Sequence, residues 1–332
     1  MAVKDRTTRD LKEKIGLARM VGQSRVFLDV MGKIPVIAHS EAGVLLRGET
    51  GTGKEVVARA IHYLSPRSAG PFVPVNCGAI PVDLVESELF GHERSAFTGA
   101  QQPRAGLIEE AGEGTLFLDE VDSLPPLAQA KLLRFLQDKE FRRLGSTRLR
   151  VSDVRVIAAT NADVEAAVAG GKLRQDLYYR LNVIPLRLPA LRDRREDIPL
   201  LADHFLKKLT GETGSRAVGF TEEALAALLH HDWPGNVREL EHVVHRAVVL
   251  CDGRAWIERG DFDLPSGRDA AIPESFHDAK AKAVARFEKG YLEQVLVVHR
   301  GNITRAAQAA AKDRRSFWEL IRKHHIDASR FR

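Results

Sequence analysis

Five short apolar runs recur through the first part of the chain, and polar or turn-forming residues separate them from their surroundings. The runs span residues 43–48, 71–76, 115–120, 154–161 and 183–189. Between them, apolar residues return at helical spacing; in residues 54–64, Val57, Ile61 and Leu64 fall on one helical face. Alternation of buried strands with amphipathic helices predicts a parallel β-sheet that is covered by helices on both faces.

The pattern changes after about residue 190. Three amphipathic stretches follow, at 195–209, 221–231 and 236–250, and Thr221 stands where the second needs an N-cap. We expect an all-helical subdomain here, without further strands. A polar stretch with proline and glycine then indicates a linker before a last helical module. The predicted organisation is a tail at 1–20, an α/β subdomain at 21–189, a helical subdomain at 190–264, a linker at 265–279 and a C-terminal module at 280–332.

Composition narrows the class of protein. No apolar run approaches the ~18–20 residues of a membrane span, and the N-terminal segment lacks the apolar core of a signal peptide. The two cysteines, Cys77 and Cys251, offer neither a disulfide framework nor a metal-binding spacing, which fits a reducing compartment. We therefore expect a cytoplasmic protein that does not bind membranes.

The excess positive charge lies at the C-terminal end. The chain has a formal net charge of +5, and residues 266–332 hold 14 basic and 8 acidic side chains against 36 and 37 in the remainder. A solvated helical face accounts for many charge clusters. A basic terminal module is also typical of nucleic-acid binding.

The segment GETGTGKE follows the first predicted strand and opens a helix. It fits the pattern G-x-x-x-x-G-K, in which backbone N–H groups converge on phosphate oxygens at a helix N-terminus. Lys54 stands where its ammonium group meets the β- and γ-phosphates, whereas Glu55 replaces the usual Ser/Thr ligand of Mg²⁺. A chance match is the alternative, and the flanking strand and helix argue against it. The predicted nucleotide-binding residues are Gly48, Glu49, Thr50, Gly51, Thr52, Gly53, Lys54 and Glu55.

Acidic and polar residues end three of the predicted strands. Asp119 and Glu120 close the strand TLFLDE at the edge where ligands bind in open α/β sheets. Asp119 can hold Mg²⁺ through water, and Glu120 can orient and deprotonate an attacking water. An ordinary acidic strand end is the alternative. The same reasoning places Asn76, Thr160 and Asn161 at this edge of the sheet.

Four segments together resemble the AAA+ ATPase domain of bacterial enhancer-binding proteins, which activate sigma-54 RNA polymerase: GETGTGKE, GTLFLDE, LRQDLYYRLNV and WPGNVREL. The resemblance extends over about residues 20–265. It implies a P-loop ATPase with a helical lid subdomain, with ATP and Mg²⁺ as cofactors. It also makes Glu55 the usual residue at its position.

The resemblance also implies roles for several residues of the predicted site. Asn76 would restrain Glu120 until the nucleotide state changes. Thr160 and Asn161 match sensor I, and Arg238 matches sensor II, which reaches the phosphates from the lid.

Arg174 and Arg180 match the arginine fingers of this family, which project into the site of a neighbouring subunit. A guanidinium supplied in trans stabilises the charge that spreads over the transferred phosphoryl group. Their separation of six residues led us to expect roughly similar helix faces. Surface arginines that pair with Asp176 or Asp193 are the alternative. Fingers in trans imply a ring, usually a hexamer in this family, and a dimer when inactive.

The segment SAFTGA matches the GAFTGA signature, a loop that contacts sigma-54 when nucleotide is bound. The predicted contact residues are Ser95, Ala96, Phe97, Thr98, Gly99 and Ala100. Small residues let such a loop extend and retract, while Phe97 and Thr98 supply an aromatic contact and a hydroxyl. Ser95 replaces the first glycine, which costs backbone freedom if this residue needs a positive φ. A turn with Phe97 in the core is the alternative.

Residues 301–326 show helix-turn-helix spacing and resemble the Fis-type DNA-binding domain. The second helix would enter the major groove with Arg314, Arg315, Ser316 and Trp318, while Arg322 and Lys323 would meet phosphates. A helical dimerisation module is the alternative.

Together these features predict an ATP-driven activator that binds enhancer DNA and remodels sigma-54 RNA polymerase. A AAA+ motor of another class and a DNA-binding regulator that no longer hydrolyses ATP are the rivals. The family often carries an N-terminal sensor domain, and only about 20 residues precede the ATPase domain here. Either a separate regulatory protein controls activity, or a sensor domain has been removed.

Overall fold

The computed structural model describes residues 20–97, 100–264, 288, 290–299, 301–324 and 326. The chain forms two compact units, Met1–Leu264 and Pro265–Arg332. Residues 1–19 of the tail predicted at 1–20, the linker predicted at 265–279, and Thr98 and Gly99 of the SAFTGA loop lie outside the described residues.

All five predicted strands are present and form one parallel sheet. They are β1 (Val44–Arg47), β2 (Phe72–Asn76), β3 (Thr115–Asp119), β6 (Arg155–Thr160) and β7 (Ile184–Arg187). Their order in the sheet is β2-β3-β6-β1-β7, and every pairing is parallel. Asn76 therefore lies opposite Asp119, and Arg47 lies opposite Thr160. The carboxyl ends of the central strands thus meet at one edge.

Helices cover both faces of the sheet. They are α1 (Arg25–Met31), α2 (Ile34–Ala38), α3 (Lys54–Tyr63), α4 (Val85–Phe90), α5 (Leu107–Glu110), α6 (Pro126–Asp138), α7 (Val164–Ala169) and α8 (Gln175–Leu181). Alternate residues of a strand point to opposite faces. Leu45 accordingly packs in one buried cluster, and Val44 and Leu46 pack in the other.

A two-stranded antiparallel hairpin that the apolar pattern did not indicate follows α6. It consists of β4 (Glu140–Phe141) and β5 (Arg150–Val151). Lys139 precedes it with a φ of 60°, and Gly145 in its loop has a φ of 75°. Strands of two residues are too short to show the alternation on which strand prediction depends.

The second subdomain contains the three predicted helices, α9 (Ile198–Thr213), α10 (Glu222–His230) and α11 (Asn236–Leu250). Thr221 caps α10 as expected, because its side chain accepts from Ala224 N. The expectation that no strand follows residue 190 was wrong. The strands β8 (Gly219–Phe220) and β9 (Trp256–Ile257) form a short parallel pair at the edge of this subdomain.

The C-terminal unit contains helical residues at 290–298 and two helices, α12 (Ile303–Ala309) and α13 (Arg314–Lys323). Leu292, Leu296, Phe317 and Ile321 belong to its small buried core. Ala311 has a φ of 50° in the turn between α12 and α13, at a position where glycine is favoured. No helix in the described part of the chain is long and apolar enough to cross a membrane.

Candidate nucleotide site

The phosphate loop runs from the end of β1 into the first turn of α3. Gly51 and Gly53 have φ angles of 79° and 99°, a region that side chains rarely tolerate, which explains the glycines of the motif. Lys54 begins the helix, and its Nζ donates to the carbonyls of Gly48 and Glu49 at 2.8 and 3.2 Å. Burial lowers the pKa of Lys54, while Asp119 and Glu120 act in the opposite direction.

The edge of the sheet and the phosphate loop enclose a polar cleft of about 300 Å³. The predicted residues that line it are Thr50, Gly51, Gly53, Lys54, Glu55, Asn76, Asp119, Glu120 and Arg238. Residues from four separate segments of the chain therefore converge on one space. The carboxylates of Asp119 and Glu120 line the cleft together with Lys54 and interact electrostatically with its ammonium group, a combination of charges suited to a phosphate group with a divalent cation.

Glu120 has a strained backbone. Its φ and ψ are 53° and 47°, a left-handed conformation that is uncommon for a residue other than glycine, asparagine or aspartate. Gly78 makes room for its carboxylate, because a Cβ at Gly78 would lie 2.3 Å from Glu120 Oε2. Strain of this kind clusters at functional sites.

Asn76 lies beside this carboxylate, but in the described structure its amide nitrogen, the only side-chain donor it has, makes no hydrogen bond to Glu120. Asn76 Oδ1 accepts from the backbone N–H groups of Gly78 and Ala79 at 2.9 and 3.2 Å. The asparagine thus orders the turn that carries Gly78. Any effect of Asn76 on Glu120 in this conformation passes through that turn.

Thr160 and Asn161, which the resemblance assigns to sensor I, lie at the end of β6 and directly after it, next to the phosphate loop and outside the lining of the cleft. Thr160 is buried, and its hydroxyl donates to the carboxylate of Asp122. Asn161 Nδ2 donates to Thr50 Oγ1 at 3.0 Å. The structure thus brings Asn161 to the phosphate loop and turns the Thr160 hydroxyl towards an acid that sequence reasoning did not identify.

The helical subdomain binds directly to the phosphate loop. Asn236 Nδ2 donates to the carbonyl of Thr50 at 3.0 Å, and Val237 N donates to that of Gly51 at 3.0 Å. A Cβ at Gly51 would lie 2.1 Å from the Gly235 carbonyl, so a larger residue would force the two segments apart. This contact places Arg238, in the first turn of α11, in the cleft.

Glu49 adds an ionic link between the same two segments. Its carboxylate accepts from both Nη atoms of Arg192 and from Asn236 Nδ2. These contacts, led by the hydrogen bond from Arg192, lower the pKa of Glu49 from 4.5 to about 2. The side chain of Glu49 therefore faces the lid. Gly48 and Thr52 belong to the loop but do not line the cleft. Thr52 Oγ1 donates to the Glu49 carbonyl at 2.8 Å and so stabilises the loop.

An apolar pocket adjoins the polar cleft and was not identified from the sequence. The two share Gly53, Val56 and Val237. The other apolar residues that line the pocket are Met20, Val21, Phe27, Val30, Met31, Val57, Leu188, Pro189 and Leu201. Apolar walls next to a phosphate cradle suit a flat heterocyclic base. The hydrophobic pattern of the sequence did not indicate this pocket, because its residues come from four distant segments and are indistinguishable from ordinary core positions.

The donors in the polar cleft fit a magnesium ion. Mg²⁺ is bound through one or two carboxylates together with water and substrate phosphates, and dedicated protein cages are uncommon. Asp119, Glu120 and Glu55 supply carboxylates, whereas no group of three or more His, Cys, Asp or Glu residues in the described ranges is arranged to hold a metal ion. The donor set therefore suits a metal ion that arrives with a nucleotide.

Neither predicted finger lines this cleft. Arg174 precedes α8 as its N-cap residue and binds the Asp176 carboxylate, with Nη2 at 2.8 Å from Oδ2. Arg180 lies in the last turn and donates to the Leu136 carbonyl at 2.9 Å. The expectation of similar helix faces was wrong, because Arg174 has an extended backbone (φ −65°, ψ 135°) and precedes the helix, so it lies on no face of α8. The pairing with Asp176 is the contact that the alternative interpretation named.

The described part of the SAFTGA loop is a turn closed at its base by His92 and Arg104, which exchange backbone hydrogen bonds at 3.0 and 2.9 Å. Ser95 has a φ of 63°, so this position does need the conformation that glycine adopts readily. Phe97 is 39% exposed, with its ring edge-on to His92 at 5.1 Å between centroids. This exposure contradicts the alternative of a core phenylalanine. Ala96 and Ala100 flank the turn, and Ala100 N donates to the Phe97 carbonyl.

The predicted DNA-reading residues lie on α13. Asp313 caps the helix by accepting from Ser316 N at 2.9 Å, and Arg314 and Arg315 are exposed. The Arg322 guanidinium lies over the Trp318 ring at 5.7 Å, while Lys323 Nζ binds Glu288 at 2.9 Å. Two exposed arginines and a half-exposed indole thus occupy the N-terminal half of the helix.

Comparison with known proteins identifies both parts of the first unit. Residues 20–187 match the model of the sigma-54 interaction domain, and residues 192–268 match that of the AAA+ ATPase lid domain. The regulatory protein AtoC of Escherichia coli (strain K12) is 46% identical over 313 residues, 92% of this chain and 67% of AtoC. The transcriptional regulatory protein ZraR of Salmonella typhimurium is 46% identical over 289 residues, 87% of this chain and 65% of ZraR.

A solved structure also resembles the protein. The crystal structure of NtrX from Brucella abortus in complex with ADP superimposes with a TM-score of 0.70 at 35% identity, covering 97% of this chain and 72% of NtrX. The chain spans about two thirds of the length of the curated relatives named above. By these matches the protein belongs to the sigma-54-dependent transcriptional regulators of the AAA+ type.

Proposed function

We propose that the protein binds ATP with Mg²⁺, hydrolyses it, and uses the hydrolysis to remodel sigma-54 RNA polymerase at promoters. The observation that carries this proposal is the cleft in which Lys54, Asp119, Glu120 and Arg238 converge. The ADP complex of NtrX supports nucleotide binding at the equivalent fold.

Each residue of the cleft has a role in this scheme. The base enters the apolar pocket, and the triphosphate lies along the phosphate loop. Lys54 neutralises the β- and γ-phosphates, and Arg238 contacts them from the lid. Glu120 holds and deprotonates the attacking water, because its strained backbone directs the carboxylate into the cleft. Asp119 holds Mg²⁺ through water, and the metal ion supplies charge neutralisation at the phosphates when bound.

Hydrolysis also needs a positive charge at the transferred phosphoryl group that this subunit does not supply from α8. We assign this role to Arg174 and Arg180 of a neighbouring subunit in a ring. The ring is the active form of the protein, and a dimer is its resting form. Two observations support the assignment: neither arginine lines the cleft of its own subunit, and the Arg174 side chain is about half exposed. A guanidinium in trans raises phosphoryl-transfer rates by ~10³–10⁵.

The SAFTGA loop transmits the work to sigma-54. Phe97 presents an aromatic face with a single ring partner, and Thr98 adds a hydroxyl next to it. The C-terminal unit binds enhancer DNA through α13. In this scheme the protein acts in the cytoplasm, and a separate regulatory protein controls its activity.

Thr98→Ala tests the coupling directly. Phe97 and Ala100, the described residues on either side of it, do not line the cleft, so ATP hydrolysis should stay within about two-fold of the parent. Sigma-54 binding in the presence of a transition-state analogue of ATP should be lost, and promoters should not open. Phosphate release and open-complex formation measured on the same preparation decide the question. Normal promoter opening by Thr98→Ala would remove the loop as the coupling element.

Removal of residues 280–332 tests the DNA-binding assignment. The shortened protein should keep its ATPase activity and lose specific enhancer binding. The affinity of the full chain should fall steeply with salt concentration, because bound phosphates release counterions. Unchanged enhancer affinity after truncation would favour the alternative, a helical dimerisation module.

A further inference from the structure

A partly buried polar cluster joins the strand that precedes the phosphate loop to helix α8. Arg47, the last residue of β1, donates from Nη2 to the Tyr178 hydroxyl at 2.5 Å. Asn182 Nδ2 donates to the same hydroxyl at 3.0 Å, and the Arg47 guanidinium lies 5.4 Å from the centroid of the Tyr178 ring. Arg47 also binds Glu165 on α7, with Nη1 at 3.1 Å from Oε1.

The cluster leaves two buried polar atoms unpaired. Arg47 Nε and Asn182 Oδ1 are both out of contact with solvent, and neither has a hydrogen-bond partner. The opposite orientation of the Asn182 amide would pair its oxygen with the tyrosine hydroxyl and strand its nitrogen instead. Either way the network is incomplete, and incomplete buried networks are costly. Arg47 Nε is a donor and Asn182 Oδ1 is an acceptor, so a rearrangement of α8 relative to β1 that brought the two atoms together would complete the network.

One end of the cluster lies next to the phosphate loop, and the other end lies on the helix that carries the proposed arginine fingers. Arg47 is followed directly by Gly48, whose carbonyl accepts from Lys54 Nζ at 2.8 Å. A nucleotide phosphate competes for that ammonium group and so changes the contacts of the residue next to Arg47. At the other end, α8 begins after Arg174 and contains Arg180 in its last turn, while Asn182 is its C-cap residue.

We propose that Arg47, Tyr178 and Asn182 are positioning residues that set the orientation of α8 according to the nucleotide bound in the same subunit. Through this cluster each subunit offers Arg174 and Arg180 to its neighbour only when its own phosphate loop is occupied. The inference rests on the proposed function, because it requires that the arginines act in trans.

The sharpest variant is Tyr178→Phe, which removes the shared hydroxyl and keeps the ring. Tyr179→Phe is a matched control, because Tyr179 is the next residue of the same helix and is 65% exposed. We expect Tyr178→Phe to bind a fluorescent ATP analogue within about two-fold of the parent, since the cleft is intact, and to lose at least ~10-fold in ATP turnover, as a poor finger donor should. Tyr179→Phe should match the parent in both.

Rings assembled from two different variants distinguish a defect in the arginine fingers from a general loss of ATPase activity. Glu120→Gln subunits have intact fingers but no water-activating carboxylate, so an equal mixture with Tyr178→Phe should regain turnover at about one interface in four. The same mixture made with Arg180→Ala serves as the reference. Tyr178→Phe mixed with Arg180→Ala should stay as inactive as either variant alone. A merely structural defect would not be rescued in this selective way.

The outcomes are distinct. If the Arg180→Ala reference is not rescued although mixed rings form, the fingers do not act in trans, and both the proposed function and this inference fail. If the reference is rescued but Tyr178→Phe behaves like Tyr179→Phe, or is not rescued, the cluster does not position the fingers. Arg47→Met, which removes the opposite end of the network, must give the same pattern, and it replaces Tyr178→Phe if that variant does not fold.

Discussion

The phosphate loop and the SAFTGA loop are both rich in small residues, yet they are held in opposite ways. The phosphate loop is fixed from three sides: by Lys54 within the loop, by Asn161 from the sheet, and by Asn236 and Val237 from the lid. In the described part of the SAFTGA loop, Phe97 has one aromatic contact, to His92.

This difference distinguishes two roles that a loop of small residues can have. In the phosphate loop, positive-φ glycines let the main chain itself bind the ligand, and the surrounding contacts keep it preorganised. In the described part of the SAFTGA loop, the main-chain hydrogen bonds of Ser95, Ala96 and Ala100 stay within residues 93–100, and small residues leave one aromatic side chain exposed. Under the proposed function, the site for chemistry is therefore fixed before its ligand arrives, and the proposed contact site for sigma-54 is an exposed aromatic side chain.

The largest effects should come from the fixed site. Glu120→Gln should bind ATP but lose ~10²–10⁴ in turnover, because it cannot accept the proton of the attacking water. Lys54→Ala should weaken nucleotide binding by ~10–100-fold through the loss of a charge-assisted contact. Phosphate release and binding of a fluorescent analogue measure the two effects. Glu110→Gln, an exposed acid outside the cleft, is the control; turnover by Glu120→Gln that equals this control would rule out its role.

A selective effect should follow from Phe97→Ala. Loss of an exposed aromatic contact should weaken sigma-54 binding by ~10-fold or more, while ATP turnover stays within about two-fold of the parent. Val36→Ala, at another exposed apolar position, should change neither quantity. If Phe97→Ala lowered turnover as much as sigma-54 binding, the two loops would not be functionally separate.

A smaller effect should appear at the link between the phosphate loop and the lid. Since contacts with Arg192 and Asn236 lower the pKa of Glu49 to about 2, its ionised form stabilises the folded state above the ordinary pKa of 4.5, and this contribution disappears as pH falls towards 2. Because the pair is partly exposed, Glu49→Gln should lower the melting temperature by only ~1–3 °C at pH 7. The difference from the parent should narrow between about pH 5 and pH 3. A difference that is constant over this range would show that the charge of Glu49 contributes nothing.

The smallest effect should come from Ser95→Gly. Glycine relieves the strain of a positive φ but increases the entropy of the unfolded chain, and these contributions nearly cancel. The melting temperature should therefore change by less than ~2 °C, and promoter opening should be equal to that of the parent or slightly faster. Ser68→Gly, at an exposed turn residue with negative φ, should only destabilise. A clear loss of promoter opening in Ser95→Gly would mean that the serine hydroxyl is needed.

Sequence patterns predicted the features that are local or periodic. Each strand of the main sheet carries its own apolar run, and GETGTGKE is contiguous, so both could be read directly. The contacts between the subdomains could not, because Glu49 meets Arg192 and Asn236 across 143 and 187 residues of chain. Nor could the apolar pocket, whose valines and leucines are indistinguishable by pattern from those of the core.

The remaining differences follow from the limits of periodicity. The pairs β4–β5 and β8–β9 are two residues long and carry no alternation. The relation between Arg174 and Arg180 depended on assuming that both are helical, whereas Arg174 has an extended backbone before α8 begins. Helix boundaries are the least certain element of any pattern-based prediction.

The three tryptophans of the chain differ in solvent exposure, so that their intrinsic fluorescence can report on different regions of the protein. Trp233 is fully buried at the turn before α11, and its indole N–H donates to the Leu228 carbonyl at 2.9 Å, whereas Trp256 and Trp318 are 55% and 48% exposed. A soluble quencher would therefore reach the last two and spare the first. With Trp256 replaced, the remaining emission would divide between a shielded indole beside the Pro234–Asn236 segment that touches the phosphate loop and an open one on α13. Movement of the lid and engagement of α13 could then be followed by fluorescence at separate wavelengths, without any attached dye.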